Sequence, residues 1–262
     1  TNICLIAYLA GYVVRQRAAL LSSWWGFLRP LVVLVMAGFL LMTQPDFGAA
    51  TVLVTASMGM IFLSGVSILR FTPLILAFIG VGTLLVLFQP YRLKRVVSYL
   101  DPWKDQFDSG YQLAQSLIAF GRGEWFGVGL GNSIQKLFFL PEAHTDFIFS
   151  IFSEEFGLFG AVLLVFVYAV LVWVGMRIAR AAEVQGMTFE ACFAYGVTLL
   201  IGLQAFINMG VSSGLLPTKG LTLPLMSYGG SSLIANAVCI AVLVRVEMER
   251  RDRVAQAARG RT

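Results

Sequence analysis

Apolar residues run along this chain in long blocks separated by short polar stretches. A membrane-crossing helix needs about 20 mostly apolar residues, within a range of about 17–25. Residues 24–43, 47–65, 71–89, 191–211 and 225–244 meet that length. Residues 1–14 form a shorter block that reads as the end of a span. A seventh block covers 147–176, polar in its first third and cleanly apolar from Phe156 onward. Backbone polar groups in lipid must be satisfied within the protein, so these blocks predict helices rather than strands. Arg29 is expected to snorkel, with Trp24 and Trp25 at the interface. The expected fold is an all-α integral membrane protein, a polytopic helical bundle of about seven spans in one domain over 1–262.

Between the fourth and fifth blocks in chain order, 71–89 and 147–176, lies a stretch of 57 residues, 90–146, that the pattern does not assign to the membrane. Residues 111–120 within it have helical spacing of apolar positions. Loops beyond about 12–15 residues are usually functional or disordered, and the aromatic and Leu content of this one argues against disorder. It is expected to be a large loop outside the cytoplasm that carries the chemistry.

Composition supports the membrane reading. Apolar residues make up 58% and charged residues 13%, with a mean hydropathy of +0.81. A soluble domain carries about 45–50% and about 25% respectively, so a soluble enzyme, a disordered tail and a nucleic-acid module are excluded. The net charge of +5 is uneven. Loops 15–29, 65–72 and 177–190 with the tail 245–262 hold 12 of the 19 Lys and Arg and 5 of the 14 acids. That side carries +7, against −2 on the other. Cytoplasmic loops are the Lys/Arg-rich ones, so the basic tail of Arg245, Arg250, Arg251, Arg253, Arg259 and Arg261 is expected in the cytoplasm. Arg92, Lys94 and Arg95 run against this rule on the outer side. Either one crossing is miscounted or the cluster is held outside for a purpose. Cys4, Cys192 and Cys239 sit in apolar runs and read as packing residues, with no disulfide or metal spacing. The start at Thr1 shows no charged region of a signal peptide and reads as a chain whose first part is missing.

Candidate chemistry clusters at helix ends. Pro141-Glu142-Ala143-His144-Thr145-Asp146 precedes an apolar helix, which places Asp146 where a capping or first-turn acid belongs. The same helix start favours an ionised carboxylate, which suits a general base. Glu154 falls two turns further on the same helix face, about 12 Å along the axis. Acids within a span read as functional, although Glu154 and Glu155 equally suit pairing with a neighbouring cation. A second polar stretch runs Pro217-Thr218-Lys219-Gly220-Leu221-Thr222-Leu223-Pro224 and on to Ser227-Tyr228-Gly229-Gly230-Ser231-Ser232. Lys219 shares its side with Arg92, Lys94, Arg95 and Lys136, a set that suits a lipid phosphate or pyrophosphate. Gln44-Pro45-Asp46 forms a third outer site, or a simple turn into the next helix.

In order and spacing these motifs resemble the SEDS family (shape, elongation, division and sporulation). The resemblance covers Gln44-Pro45-Asp46-Phe47-Gly48, Leu100-Asp101-Pro102-Trp103, Gly110-Tyr111-Gln112, Gly129-Leu130-Gly131-Asn132-Ser133, residues 140–149 and 227–232. The lysine in Pro217-Thr218-Lys219-Gly220 and the pair Gln135-Lys136 are similar to the division type. The resemblance implies a ten-helix protein of the bacterial inner membrane, at the division septum, with both ends cytoplasmic. Seven spans would then be the last seven of ten. It implies a peptidoglycan glycosyltransferase that polymerises lipid II into glycan linked to undecaprenyl pyrophosphate. The implied partners are a class B penicillin-binding protein transpeptidase and other membrane proteins of the division machinery, without nucleic acid. Asp146 matches the family's essential aspartate and is implied as the base. Lys219 matches a sensitive position. The assignment of Lys219, Arg92, Arg95 and Lys136 to pyrophosphate is read from charge and side, with Glu142, His144, Glu154, Asp46 and Ser231 in support. A divalent cation, Mg2+ or Mn2+, is implied by the family alone, since no metal-ligand spacing is present. Two other readings stand beside the polymerase: a lipid II flippase, which suits intramembrane acids and broken helices, and a non-catalytic division scaffold.

Overall fold

A computed structural model describes residues 2–43, 47–88, 99, 101–104, 107 and 110–259. Helices span Asn2–Arg15, Arg17–Ser22, Trp24–Thr43, Phe47–Leu63, Ile68–Leu87, Tyr111–Gly123, Ile148–Val184, Thr188–Ser212 and Gly230–Arg259. A short π-helical turn covers Gln135–Phe139, and no strand occurs among the described residues. The expected all-α membrane fold is therefore observed. Among the described residues, four helices are long and apolar enough to cross a membrane, beginning at Trp24, Ile148, Thr188 and Gly230. Shorter apolar helices cover Asn2–Arg15, Gly48–Leu63 and Leu69–Leu84. Large apolar side chains such as Val35, Phe39, Leu163 and Phe166 are exposed, as lipid-facing positions should be, while Ser57, Thr198 and Asn208 are buried.

The chain forms two compact units. One comprises 1–67, 168–203 and 233–262; the other comprises 68–167 and 204–232. In the first, small residues allow close helix contact: a Cβ on Gly196 would stand 2.3 Å from Ile6, and one on Gly175 would stand 2.4 Å from Thr198. Pro30 lies inside the Trp24–Thr43 helix and has no N–H to offer the carbonyl four residues earlier. That carbonyl, of Gly26, instead accepts the Tyr12 hydroxyl at 2.7 Å, so the proline is accommodated without an orphaned group in an apolar setting.

The second unit is organised by a break in the helix that the hydropathy pattern presents as one span. Gly157 adopts φ 68 and ψ −166 within Ile148–Val184, a conformation that glycine alone takes readily. Residues 124–129 supply the bonds that the break removes. Val128 and Gly129 N–H donate to the Glu154 and Glu155 carbonyls at 3.0 and 3.1 Å. Leu158 and Phe159 N–H donate to the Glu124 and Trp125 carbonyls at 2.9 and 3.2 Å. The expected helix at 111–120 is present as Tyr111–Gly123. Its last glycine abuts the other helix, where a Cβ would fall 2.1 Å from the Ser153 carbonyl. The final helix passes through Arg245 without interruption and carries the basic stretch to Arg259 as helix.

Candidate functional site

Asp146 lies in the turn before the Ile148–Val184 helix rather than on it. The expectation that Asp146 and Glu154 share a helix face is therefore corrected. Glu142 has a positive φ of 55, and its carbonyl receives the N–H groups of Thr145, Asp146 and Phe147 at 3.2, 3.0 and 3.2 Å. This wraps 142–147 into a compact turn and delays the helix by two residues. The Thr145 hydroxyl donates to the Glu142 carboxylate at 2.7 Å. Beneath the turn, Leu140, Ala143, Phe147 and Ile151 are buried with Val211, and Ile207 and Leu216 pack against them.

The turn is stitched to the segment after the Thr188–Ser212 helix. The Ser227 hydroxyl donates to the Thr145 carbonyl and receives the Leu223 N–H at 2.6 Å. Tyr228 N–H donates to the His144 carbonyl at 2.9 Å. The Asn208 amide donates to the Asp146 carbonyl at 2.7 Å and to the Leu221 carbonyl. Gln204 holds Thr222 through its carbonyl and hydroxyl at 2.9 and 3.1 Å, and the Thr222 hydroxyl lies 3.1 Å from that of Ser232. These bonds bring the Asp146 carboxylate against Gly220, where a Cβ would stand 2.8 Å from Oδ2. Lys219 is the next residue in the chain. The acidic and the basic motif, 73 positions apart, thus meet in one place.

Glu154 is fully buried. It accepts from Arg122 at 3.2 Å, from the Ser133 hydroxyl, and from the N–H groups of Ile134 and Gln135 at 3.2 and 3.3 Å. A buried carboxylate persists only when paired and hydrogen-bonded, and these four donors answer that need. Glu155 holds Lys136 at 2.7 Å. Of the alternatives for the two acids, pairing with neighbouring cations is the one observed. Lys136 is thereby placed on Glu155, with no described contact to the Asp146 turn. Glu142 and His144 are exposed on that turn, and Ser231 is exposed in the first turn of the last helix, while its neighbour Ser232 and Ser227, which precedes that helix, carry the described contacts. Asp46, Arg92 and Arg95 lie outside the described residues. In the loop, Lys104 sits 3.1 Å from Asp101, and its hydrogen bond holds that carboxyl below the usual range. Among the described residues, no three His, Cys, Asp or Glu side chains gather in a way that would hold a metal ion.

Sequence reasoning passed over Asn208 and Gln204. The available signal was an amide inside an apolar helix, which needs a partner in lipid or protein. Arg122 and Ser133 also went unassigned, because nothing in their spacing names Glu154 as the partner.

The profile of the cell cycle protein family, which joins FtsW, RodA and SpoVE, matches residues 1–252. The chain is 70% identical over 252 residues to a protein of Marinobacter nauticus named probable peptidoglycan glycosyltransferase FtsW, covering 96% of this chain and 63% of that protein. It is 59% identical to the protein of the same name from Hahella chejuensis, over 95% of this chain and 62% of that one. The chain thus spans less than two thirds of these relatives. Among solved structures it is similar to a chain described under "Structural coordination of polymerization and crosslinking by a peptidoglycan synthase complex", with a TM-score of 0.67, 28% identity and coverage of 87% and 63%. It is also similar to the rod shape determining protein RodA of Thermus thermophilus, with a TM-score of 0.60, 26% identity and coverage of 94% and 65%.

Proposed function

We propose that this chain, which belongs to the cell cycle protein family of FtsW, RodA and SpoVE, carries the catalytic turn of a peptidoglycan glycosyltransferase that polymerises lipid II for septal wall synthesis. The observation that supports this reading most directly is the seating of the Asp146 carboxylate on Gly220, beside Lys219. In the proposed step Asp146 takes the proton of the 4-hydroxyl of an acceptor N-acetylglucosamine. The oxygen attacks C1 of the donor N-acetylmuramate with inversion, and the bond from C1 to the pyrophosphate oxygen breaks. Undecaprenyl pyrophosphate leaves with the bonding electrons. A carboxylate at a helix start is a weak base, so stabilising the leaving group is expected to share the work. Lys219 is proposed for that role, with Arg92 and Arg95. Lys136 would have to leave Glu155 to join them. A divalent cation would enter as a companion of the pyrophosphate, whose oxygens would supply the ligands that a protein cage otherwise would.

The proposed setting is the bacterial inner membrane at the septum, with the C-terminus in the cytoplasm and a class B penicillin-binding protein transpeptidase as partner. In support, relatives are named as peptidoglycan glycosyltransferases and a solved neighbour is described within a peptidoglycan synthase complex. The flippase reading would use Glu154 as its intramembrane carboxylate, but four donors already occupy it. The test uses the full-length protein with its transpeptidase partner and labelled lipid II, the partner's own activity being excluded. Asp146→Asn should abolish glycan strands while membrane insertion and partner binding persist. Strand formation at the unchanged rate would overturn the assignment.

A further inference from the structure

Asn208 stands out among the buried polar groups. It is 1% exposed and sits one turn before the end of the Thr188–Ser212 helix. Both hydrogens of its single NH2 group are committed to backbone carbonyls on different segments, Asp146 at 2.7 Å and Leu221. Its Oδ1 is buried without a hydrogen-bond partner. An apolar residue of similar shape would remove that orphaned acceptor, so the amide is poorly explained as packing. What it does supply is a fixed separation. The two carbonyls belong to the residue bearing the proposed base and to the residue two after Lys219. Gly220 lies between, and its lack of a Cβ is what lets the carboxylate reach the backbone there.

We infer that Asn208 is a positioning residue, a fork that sets the distance between the Asp146 carboxylate and the Lys219–Gly220 backbone. This rests on the reading of Asp146 as the base. The fork acts through main-chain carbonyls, so it engages neither the carboxylate nor the ammonium group while fixing where they emerge. Misplacement by about 1 Å in such an arrangement is worth about 10²-fold in rate. The signature is a loss in kcat with substrate affinity retained, because the segments that bind lipid II outside the reacting centre are untouched.

The experiment compares Asn208→Leu, Asn208→Asp, Gly220→Ala and Asp146→Asn in the full-length protein with its transpeptidase partner, using labelled lipid II and thermal melting in detergent. Asn208→Leu should lower kcat about 10²-fold with KM changed less than about threefold. Asn208→Asp puts a carboxyl between two carbonyl acceptors, where a buried group with no donor stays protonated. Its one O–H can bind one of the two carbonyls, so the variant should keep part of the rate that Asn208→Leu loses. Gly220→Ala tests the same distance from the opposite side, at an exposed position that leaves the fork intact, and should reproduce the kcat loss. The inference is overturned if Asp146→Asn is inactive while folded Asn208 variants and Gly220→Ala keep wild-type kcat. It is equally overturned if the Asn208 variants lose activity only in step with their melting temperature and Gly220→Ala is unaffected. Retained activity in Asp146→Asn would instead remove the base assignment beneath it.

Discussion

At the scale of single residues, the candidate site sets one carboxylate against the backbone next to one lysine, and other side chains fix that backbone. Lys219 follows Thr218, which is buried, and precedes Gly220, which touches Asp146. A unit charge about 4 Å from a developing phosphate charge is worth about 4 kcal/mol near a protein surface. Lys219→Ala is therefore expected to slow strand synthesis by about 10³-fold in a protein that still folds. Lys219→Arg should recover part of that rate, since charge returns in a different shape. Labelled lipid II turnover set beside thermal melting decides the matter, and a rate that falls only as far as the melting temperature does would end the pyrophosphate role. Asp146 and Lys219 were legible in the sequence because each stands in a polar motif at a helix end. Asn208 and Ser227 were not. A side-chain amide or hydroxyl announces that it needs a partner, but the partner here is a main-chain carbonyl up to 82 positions away, and no periodicity encodes that.

At the scale of elements, the determining feature is the interrupted helix. The break falls at Gly157, and the 124–129 segment takes up four backbone groups around it. Each such bond contributes about 0.5–1.5 kcal/mol net, and an unmatched group in an apolar setting costs more. An alanine at 157 faces two obstacles: a positive φ, and a Cβ 2.4 Å from the Gly127 nitrogen and 2.5 Å from the Trp125 carbonyl carbon. Both obstacles are backbone, which cannot swing aside as a side chain does. Gly157→Ala is expected to destabilise the protein by about 2–4 kcal/mol, read as a drop in melting temperature in detergent. Gly121→Ala is the counterpart. It lies in the Tyr111–Gly123 helix with nothing within 4 Å of a Cβ and should stabilise by up to about 1 kcal/mol. Equal melting of Gly157→Ala and wild type would show that the break is not held by its glycine. Hydropathy located the change in character at Phe156 but read it as a polar helix start, because a window of apolar residues is blind to φ. The break needs the strap, and the strap is remote in sequence.

At the scale of the whole molecule, apolar block length locates most helices to within about three residues, since in lipid a helix is the available answer to unsatisfied backbone. Ile148–Val184 and Gly230–Arg259, however, run 8 and 15 residues past the ends of the blocks 147–176 and 225–244. The blocks 24–43 and 191–211 correspond closely to Trp24–Thr43 and Thr188–Ser212. What block length leaves open is direction, and there the charge asymmetry of +7 against −2 makes a definite statement through the positive-inside rule. The loop bearing Leu130 should face outward and the helix bearing Val254 should end in the cytoplasm. Both positions are exposed, at 77% and 49%, so a cysteine at either one is open to reagent. Within this chain Cys192 and Cys239 are buried and Cys4 is exposed. In a full-length parent with Cys4 and any cysteine outside this chain changed to Ser, Leu130→Cys should react with a membrane-impermeant maleimide on intact cells whose outer membrane is opened. Val254→Cys should react only after the inner membrane is permeabilised. The opposite pattern would place the Asp146 turn on the cytoplasmic side, away from the wall it is proposed to build, and the polymerase reading would fall with the topology.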